Sequence, residues 1–161
     1  MASFLSRVCK ALDDHNVQYA LVGGYAVALQ GVVRGTIDID LVITASAESY
    51  ESTAQAMKSL GLTPHLPLTA SQIFTDREAL IRDRHLVAWS FVALHNPLEV
   101  IDIIITYPLK PDMVDRLSPF GGSQEVCVLK KEHLIEMKRQ SARPQDLADI
   151  EALSRLIQRD V

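Results

Sequence analysis

The sequence predicts an α/β (α+β) fold, a mixed β-sheet flanked by helices. Two observations carry this. Apolar, β-branched runs alternate along the chain with segments of helical periodicity, the pattern of an α/β chain. Asn96-Pro97 then joins two of the runs as a hairpin, which makes at least one strand pair antiparallel and disfavours a doubly wound parallel sheet. No repeat, low-complexity block or Gly/Ser linker divides the 161 residues, so 1–161 is read as a single domain.

The elements follow in order. Phe4, Leu5, Val8 and Leu12 recur at helical spacing and predict an amphipathic N-terminal helix. Tyr19 to Gly23 (YALVG) is a short buried strand, and GYAVALQG is helical, packing through Ala26, Val27 and Leu29. Thr36 to Ile43 (TIDIDLVI) is a strand with period-two alternation. ASAESYESTAQAMKSLG is a helix closed by Gly61. Pro64 and Pro67 mark an irregular stretch, followed by a short polar helix in TDREALIRDRH. LVAWSFVALH and LEVIDIIIT form the hairpin strands, with Trp89 and Phe91 as core residues. Tyr107 to Gln124 is the most loop-like region, holding one short helix opened by Pro111. EVCVL is a last strand, followed by the helix KEHLIEMKRQ and another starting near Pro144.

Composition narrows function. Sixteen basic against 20 acidic residues give a net charge of −4, which argues against a broad polyanion-binding surface. Lys130, Lys131, Lys138, Arg139 and Arg143 are the densest positive cluster and the one place where folding would assemble a basic patch. No apolar run approaches the roughly 18 residues needed to span a membrane. The N-terminus lacks a signal-peptide core, and Cys9 and Cys127 have no ligand or disulfide spacing. A cytoplasmic protein with reduced thiols is expected, without a membrane partner. The five histidines show no ligand spacing either.

Asp38 and Asp40 sit two apart on a predicted strand and so project from one face, with Ile37, Ile39 and Leu41 on the other. Adjacent carboxylates repel unless a cation lies between them, and Mg²⁺ prefers carboxylate oxygens. The alternative is a solvent-facing strand edge. Asp102 lies in VIDIII, among β-branched aliphatics, and reads as part of a strand buried on both faces. Its charge then needs compensation, by a metal shared with Asp38 and Asp40 or by an arginine such as Arg34, unless it lies at an exposed strand end. Gly23-Gly24 ends a strand and opens a helix. That makes either an anion site of backbone amides or a tight turn needing close packing.

Together, LVGGYAVALQGVVRGTIDIDLVI resembles the signature of the nucleotidyltransferase superfamily related to DNA polymerase β: Gly-Gly or Gly-Ser, a spacer, then Asp-x-Asp between hydrophobic residues. The spacer from Gly24 to Asp38 is 38 − 24 − 1 = 13 residues. Asp102 resembles the third carboxylate of that family. Arg34 and Thr36 before the Asp-x-Asp, with Lys138, Arg143, Asp146 and Asp149 near the end, resemble the AbiEii-like bacterial branch, which includes toxins of toxin–antitoxin pairs. Position 24 departs from many relatives, which have a serine contacting the triphosphate there.

The resemblance implies a nucleotidyltransferase-like fold, with catalytic strands within about 19–106 and C-terminal helices at about 130–160. It implies transfer of a nucleoside monophosphate from a nucleoside triphosphate to an acceptor hydroxyl on tRNA, a protein or a small molecule, with an antitoxin as a further partner. Asp38, Asp40 and Asp102 would be the catalytic and metal residues, holding two Mg²⁺ ions. Gly23, Gly24, Arg34, Thr36 and Lys138 would bind nucleotide. Lys138 has the alternative of a solvated helix face, Arg34 reaches either a phosphate or Asp102, and Arg143 pairs with either Asp146 or Asp149, whose roles stay open. The competing reading is a non-catalytic nucleotide-binding or regulatory module with the same fold.

Overall fold

The computed structural model describes residues 2–36 and 38–160. Its centre is a mixed seven-stranded sheet of order β3-β4-β5-β2-β1-β7-β6. The strands are β1 (Tyr19–Val22), β2 (Ile39–Ile43), β3 (Leu62–Pro64), β4 (Ala88–Ala93), β5 (Val100–Ile104), β6 (Val114–Leu117) and β7 (Val126–Leu129). The helices are α1 (Phe4–Asp14), α2 (Gly23–Leu29), α3 (Ala47–Ser59), α4 (Ala70–Thr75), α5 (Arg77–Arg84), α6 (Lys131–Ser141) and α7 (Pro144–Arg159). Two pairings are parallel, β1 with β7 and β2 with β5, and the other four are antiparallel.

Local chemistry sets the helix ends. Ser3 and Ser46 accept a hydrogen bond from the amides of Ser6 and Ser49, both at 3.1 Å, capping α1 and α3. Gly61 follows α3 with φ +76°, a left-handed stop that glycine adopts without steric cost. Pro144 occupies the first turn of α7, where a missing amide hydrogen costs nothing. Among the described residues no helix is long and apolar enough to cross a membrane.

The hairpin pairs residues symmetrically about Asn96, placing Trp89 opposite Ile103, Ser90 opposite Asp102 and Phe91 opposite Ile101. Pleating then separates two faces. On one, Trp89, Phe91, Ile101, Ile103, Ile39 and Leu41 are all buried. Trp89 stacks on Tyr50 of α3 with ring centroids 5.5 Å apart and meets the edge of Phe91 at 4.7 Å. The other face carries Asp40, Ser90, Asp102, Ala88 and Ile104, each half-buried.

Four expectations change. The strand predicted from Thr36 begins at Ile39, so Asp38 lies just before it and is exposed. Ile37 lies outside the described residues. The strand holding Asp102 is not buried on both faces: Ile101 and Ile103 are buried while Val100, Asp102 and Ile104 are half-buried. Its aliphatics fill the core on one side and border an open cleft on the other. The loop-like region contains its short helix, a 3-10 turn at Pro111–Met113, but also β6, which adds to β7 at the sheet edge. The irregular stretch contains β3 and α4, which are too short to show a period.

Trp89 anchors the packed face, so Trp89→Ala should lower unfolding free energy by about 3–5 kcal/mol, the usual cost of truncating a buried aromatic. Urea denaturation measures it directly.

Candidate active site

The half-buried face opens into a cleft of about 940 Å³, bordered by the end of β1, the starts of β2 and β4, the second half of β5, and α6 and α7. Asp38, Asp40 and Asp102, together with Gly23, Gly24, Arg34, Thr36 and Lys138, all line it. The sheet itself brings the carboxylates together: β2 and β5 run parallel with Asp40 and Asp102 as register partners.

Their electrostatics show the strain of that arrangement. Burial pushes the Asp40 carboxyl up to about 6, helped by the negative charges of Asp102 and Asp38 and opposed by Lys138 and Arg143. Asp102 accepts a hydrogen bond from Ser90 Oγ at 2.5 Å. Among the described residues, no group of three or more His, Cys, Asp or Glu side chains is arranged to hold a metal ion. The three aspartates therefore share the cleft without converging on one point. Arg34, the arginine weighed as a partner for Asp102, is engaged elsewhere.

The two glycines are explained by contact. Gly23 has φ +67°, and a Cβ there would stand 2.2 Å from Asp40 Oδ2. At Gly24 a Cβ would stand 2.7 Å from Thr36 Oγ1 and 2.8 Å from Thr36 Cβ. The Asp40 carboxylate and the threonine thus press onto bare backbone. The Val22 N-cap supplies no side-chain acceptor to the first amides of α2. Close packing is what the structure displays at this turn, and anion binding there stays a proposal.

Opposite the carboxylates lies an ion-pair network that the sequence left unresolved. Asp146 and Asp149 are each only 2% exposed. Lys138 Nζ lies 2.9 Å from Asp149 Oδ2 and 3.5 Å from Asp146 Oδ1. Arg34 also pairs with Asp149, and Gln145 Nε2 donates to Asp149 Oδ1 at 3.0 Å. Arg143 chooses Asp146, donating from Nε at 2.9 Å and from its backbone amide at 3.1 Å. Burial pushes the Asp146 carboxyl up. The hydrogen bonds from Arg143 and Ser141 and the charge of Lys138 outweigh it and hold the carboxyl well below its ordinary range. Arg34 Nε is buried without a hydrogen-bond partner among the described residues.

One expectation is corrected here. Lys138 is not on a solvated helix face; it is buried on α6 and clamped between two carboxylates of α7. Three members of the basic cluster are engaged in ion pairs: Lys138 and Arg143 as described, and Lys131, whose Nζ sits 3.4 Å from Asp160 Oδ2. Sequence reasoning missed Ser90 and Gln145. Ser90 was within reach, since counting six residues outward from Asn96 in each direction lands on Ser90 and Asp102.

No protein-family profile matches the sequence, and no curated protein matches it. Solved structures do share the fold. The antibiotic-resistance factor ANT(2'')-Ia superposes with a TM-score of 0.61 at 17% identity, covering 95% of this chain and 80% of its own. The lincosamide antibiotic adenylyltransferase LnuA, bound to lincomycin, gives 0.60 at 16% identity, covering 97% and 98%. An antigenic nucleotidyltransferase-like protein from Paracoccidioides brasiliensis gives 0.53 at 18% identity, covering 92% and 72%. At these identities the likeness shows the fold, and that fold is the nucleotidyltransferase-like one expected from the sequence.

Two outcomes test the geometry. Gly24→Ser should cost about 1–3 kcal/mol from overpacking, and Thr36→Gly in the same chain should recover most of it in denaturant unfolding. Asp40 is a carboxyl raised from an ordinary value near 3.8 to about 6. Its burden on the folded state is therefore absent at low pH, grows as pH rises from about 4 to 6, and is complete above 6. In metal-free buffer Asp40→Asn should melt higher than wild type at pH 7, with the two melting temperatures converging near pH 4.

Proposed function

We propose that this chain transfers a nucleoside monophosphate from a nucleoside triphosphate to an acceptor hydroxyl. The observation that carries the reading is the in-register pairing of Asp40 with Asp102, with Asp38 alongside, facing a cleft whose other wall holds Arg34, Lys138 and Arg143. The nucleotidyltransferase-like fold, and the likeness to an adenylyltransferase among its neighbours, support it. The remaining support is the sequence block from Gly23 to Asp40.

The donor set fits Mg²⁺. It offers only hard carboxylate oxygens, and burial together with the neighbouring charges of Asp102 and Asp38 raises the Asp40 carboxyl, an arrangement that a cation at this place would relieve. Asp38 and Asp40 would hold the metal, with Asp102 joining once it exchanges its Ser90 hydrogen bond. When bound, Mg²⁺ draws charge from the phosphates and makes the acceptor hydroxyl easier to deprotonate. The chain's own residues do the rest. The amides of Gly23 and Gly24 and the hydroxyl of Thr36, which is pressed against Gly24, would meet the phosphates. Lys138 and Arg34 would offset their charge, held in place by Asp149 and Asp146. The acceptor oxygen bonds to the α-phosphorus as the bond from phosphorus to the bridging oxygen of pyrophosphate breaks. Asp102 takes the hydroxyl proton.

One observation favours the non-catalytic alternative: Asp102 is bonded to Ser90 and the carboxylates do not converge. Transfer assays decide between the two. With a saturating nucleoside triphosphate and Mg²⁺, wild type should gain about 2.7 kcal/mol at a hundredfold excess over Kd. That is a rise of several degrees in Tm for a chain of this size. Asp40→Asn should lose that metal-dependent gain and lower transfer by on the order of a hundredfold or more. Metal-dependent binding with no transfer to any acceptor would establish the non-catalytic reading.

A further inference from the structure

We infer that the acceptor is a small, uncharged molecule whose hydroxyl sits on a largely apolar body, bound along the β4–β5 side of the cleft. The inference rests on the nucleotidyl-transfer reading above and extends it to the second substrate.

The cleft has two chemically distinct sides. Across the sheet the order β4-β5-β2-β1 places Gly23 and Gly24, at the end of β1, on one side of Asp40, and Asp102 and Ala88 on the other. The cations of the cleft, Arg34, Lys138 and Arg143, come from the β1–β2 connection, α6 and the start of α7; none comes from β4 or β5. A triphosphate therefore has one place to lie, and the hydroxyl it meets at Asp102 must come from the other side.

Pleating fixes what that second molecule touches. Ile104 and Ala88 are register partners two residues beyond Asp102 and Ser90, so they form the next row on the same face, about 7 Å away. Both are half-buried and both line the cleft. Val87, 54% exposed, continues this wall at the mouth, and Met137 of α6 lines the cleft as well. Thr106 and Tyr107, just past β5, border it too, and the Tyr107 hydroxyl is committed to Glu136 Oε2 at 3.1 Å.

Charge then excludes two acceptor classes. Among the described residues, Asp102 is the one carboxylate that β4, β5 or the segment after β5 gives the cleft; Asp38 and Asp40 are the proposed metal's ligands and Asp146 is paired with Arg143, so a polycation on this side would meet mostly apolar carbon. A polynucleotide would need further basic side chains along its phosphates, and the cations that line the cleft, Arg34, Lys138 and Arg143, all lie on the wall assigned to the triphosphate. The whole cleft, about 940 Å³, must hold the nucleotide as well, which leaves the β4–β5 side room for a small molecule, and Val87, Ala88, Ile104 and Met137 offer that molecule mostly carbon.

The test uses the full chain with Mg²⁺ and a nucleoside triphosphate, with methyl labels on Ile104 and Met137. Three probes are compared: octyl glucoside, which is neutral and hydroxylated, spermine, and bulk tRNA. The expected result is that octyl glucoside shifts both methyl resonances and takes up label from an α-labelled triphosphate, while spermine and tRNA do neither. Val87→Glu, at an exposed position that folding tolerates, should raise the KM for octyl glucoside about tenfold and leave the nucleotide-induced rise in Tm in place. Labelling of tRNA, methyl shifts with spermine, or no methyl shift with octyl glucoside in protein that binds nucleotide would each overturn the inference. Absence of any metal-dependent nucleotide binding by wild type would instead defeat the nucleotidyl-transfer reading.

Discussion

The parallel pairing of β2 with β5 is the constraint on which the rest depends. It sets Asp40 beside Asp102 on one face of the sheet, while the alternate residues, Ile39, Leu41, Ile101 and Ile103, close the core on the other. Pleating makes the two outcomes inseparable: a one-residue slip would bury the carboxylates and expose the isoleucines. The apolar face thus fixes the polar one. The hydrophobic packing under α3, with Trp89 between Tyr50 and Phe91, is what holds two like charges next to each other.

That proximity is unfavourable by itself, and the chain offsets it from a distance. The buried Asp146 and Asp149 of α7 would be costly alone, but they fix Lys138 of α6 and Arg34 of the connection before β2, while Arg143 is tied to Asp146. Lys138 and Arg143 in turn oppose the rise in the Asp40 carboxyl. Acidic residues on the last helix therefore act on acidic residues of the sheet through the cations held between them. The cleft is left with a charged wall and an apolar one.

Much of this was legible in the sequence because its signals are local. The alternation in IDIDLVI and the turn at Asn96-Pro97 each depend on a few consecutive residues, and both strands and the hairpin follow from them. Every candidate site residue between Gly23 and Asp40, with Asp102 and Lys138, lines one cleft. What failed was non-local. VIDIII reads as apolar on both sides because composition does not distinguish a core face from the floor of a cleft. Lys138 reads as solvated because its partners lie eight and eleven residues on, in another helix. β3 and β6, at three and four residues, exist because a neighbouring strand offers them hydrogen bonds, and Pro64 in β3 suits an edge.

The position of β7 has a consequence for how the molecule is assembled. It lies between β1 and β6, and its parallel register joins Leu21 to Val128, residues more than a hundred apart in the chain. Until that closure, one edge of β1 is unpaired, and closing so long a loop is a slow, entropically costly event. α6 and α7 follow β7, so synthesis delivers Asp40 and Asp102 of the sheet, with Asp38 before it, long before Lys138 and Arg143 exist to oppose their repulsion. The nascent sheet must hold its charges on hydrophobic burial alone, and the last fifth of the chain completes both its hydrogen bonding and its electrostatics.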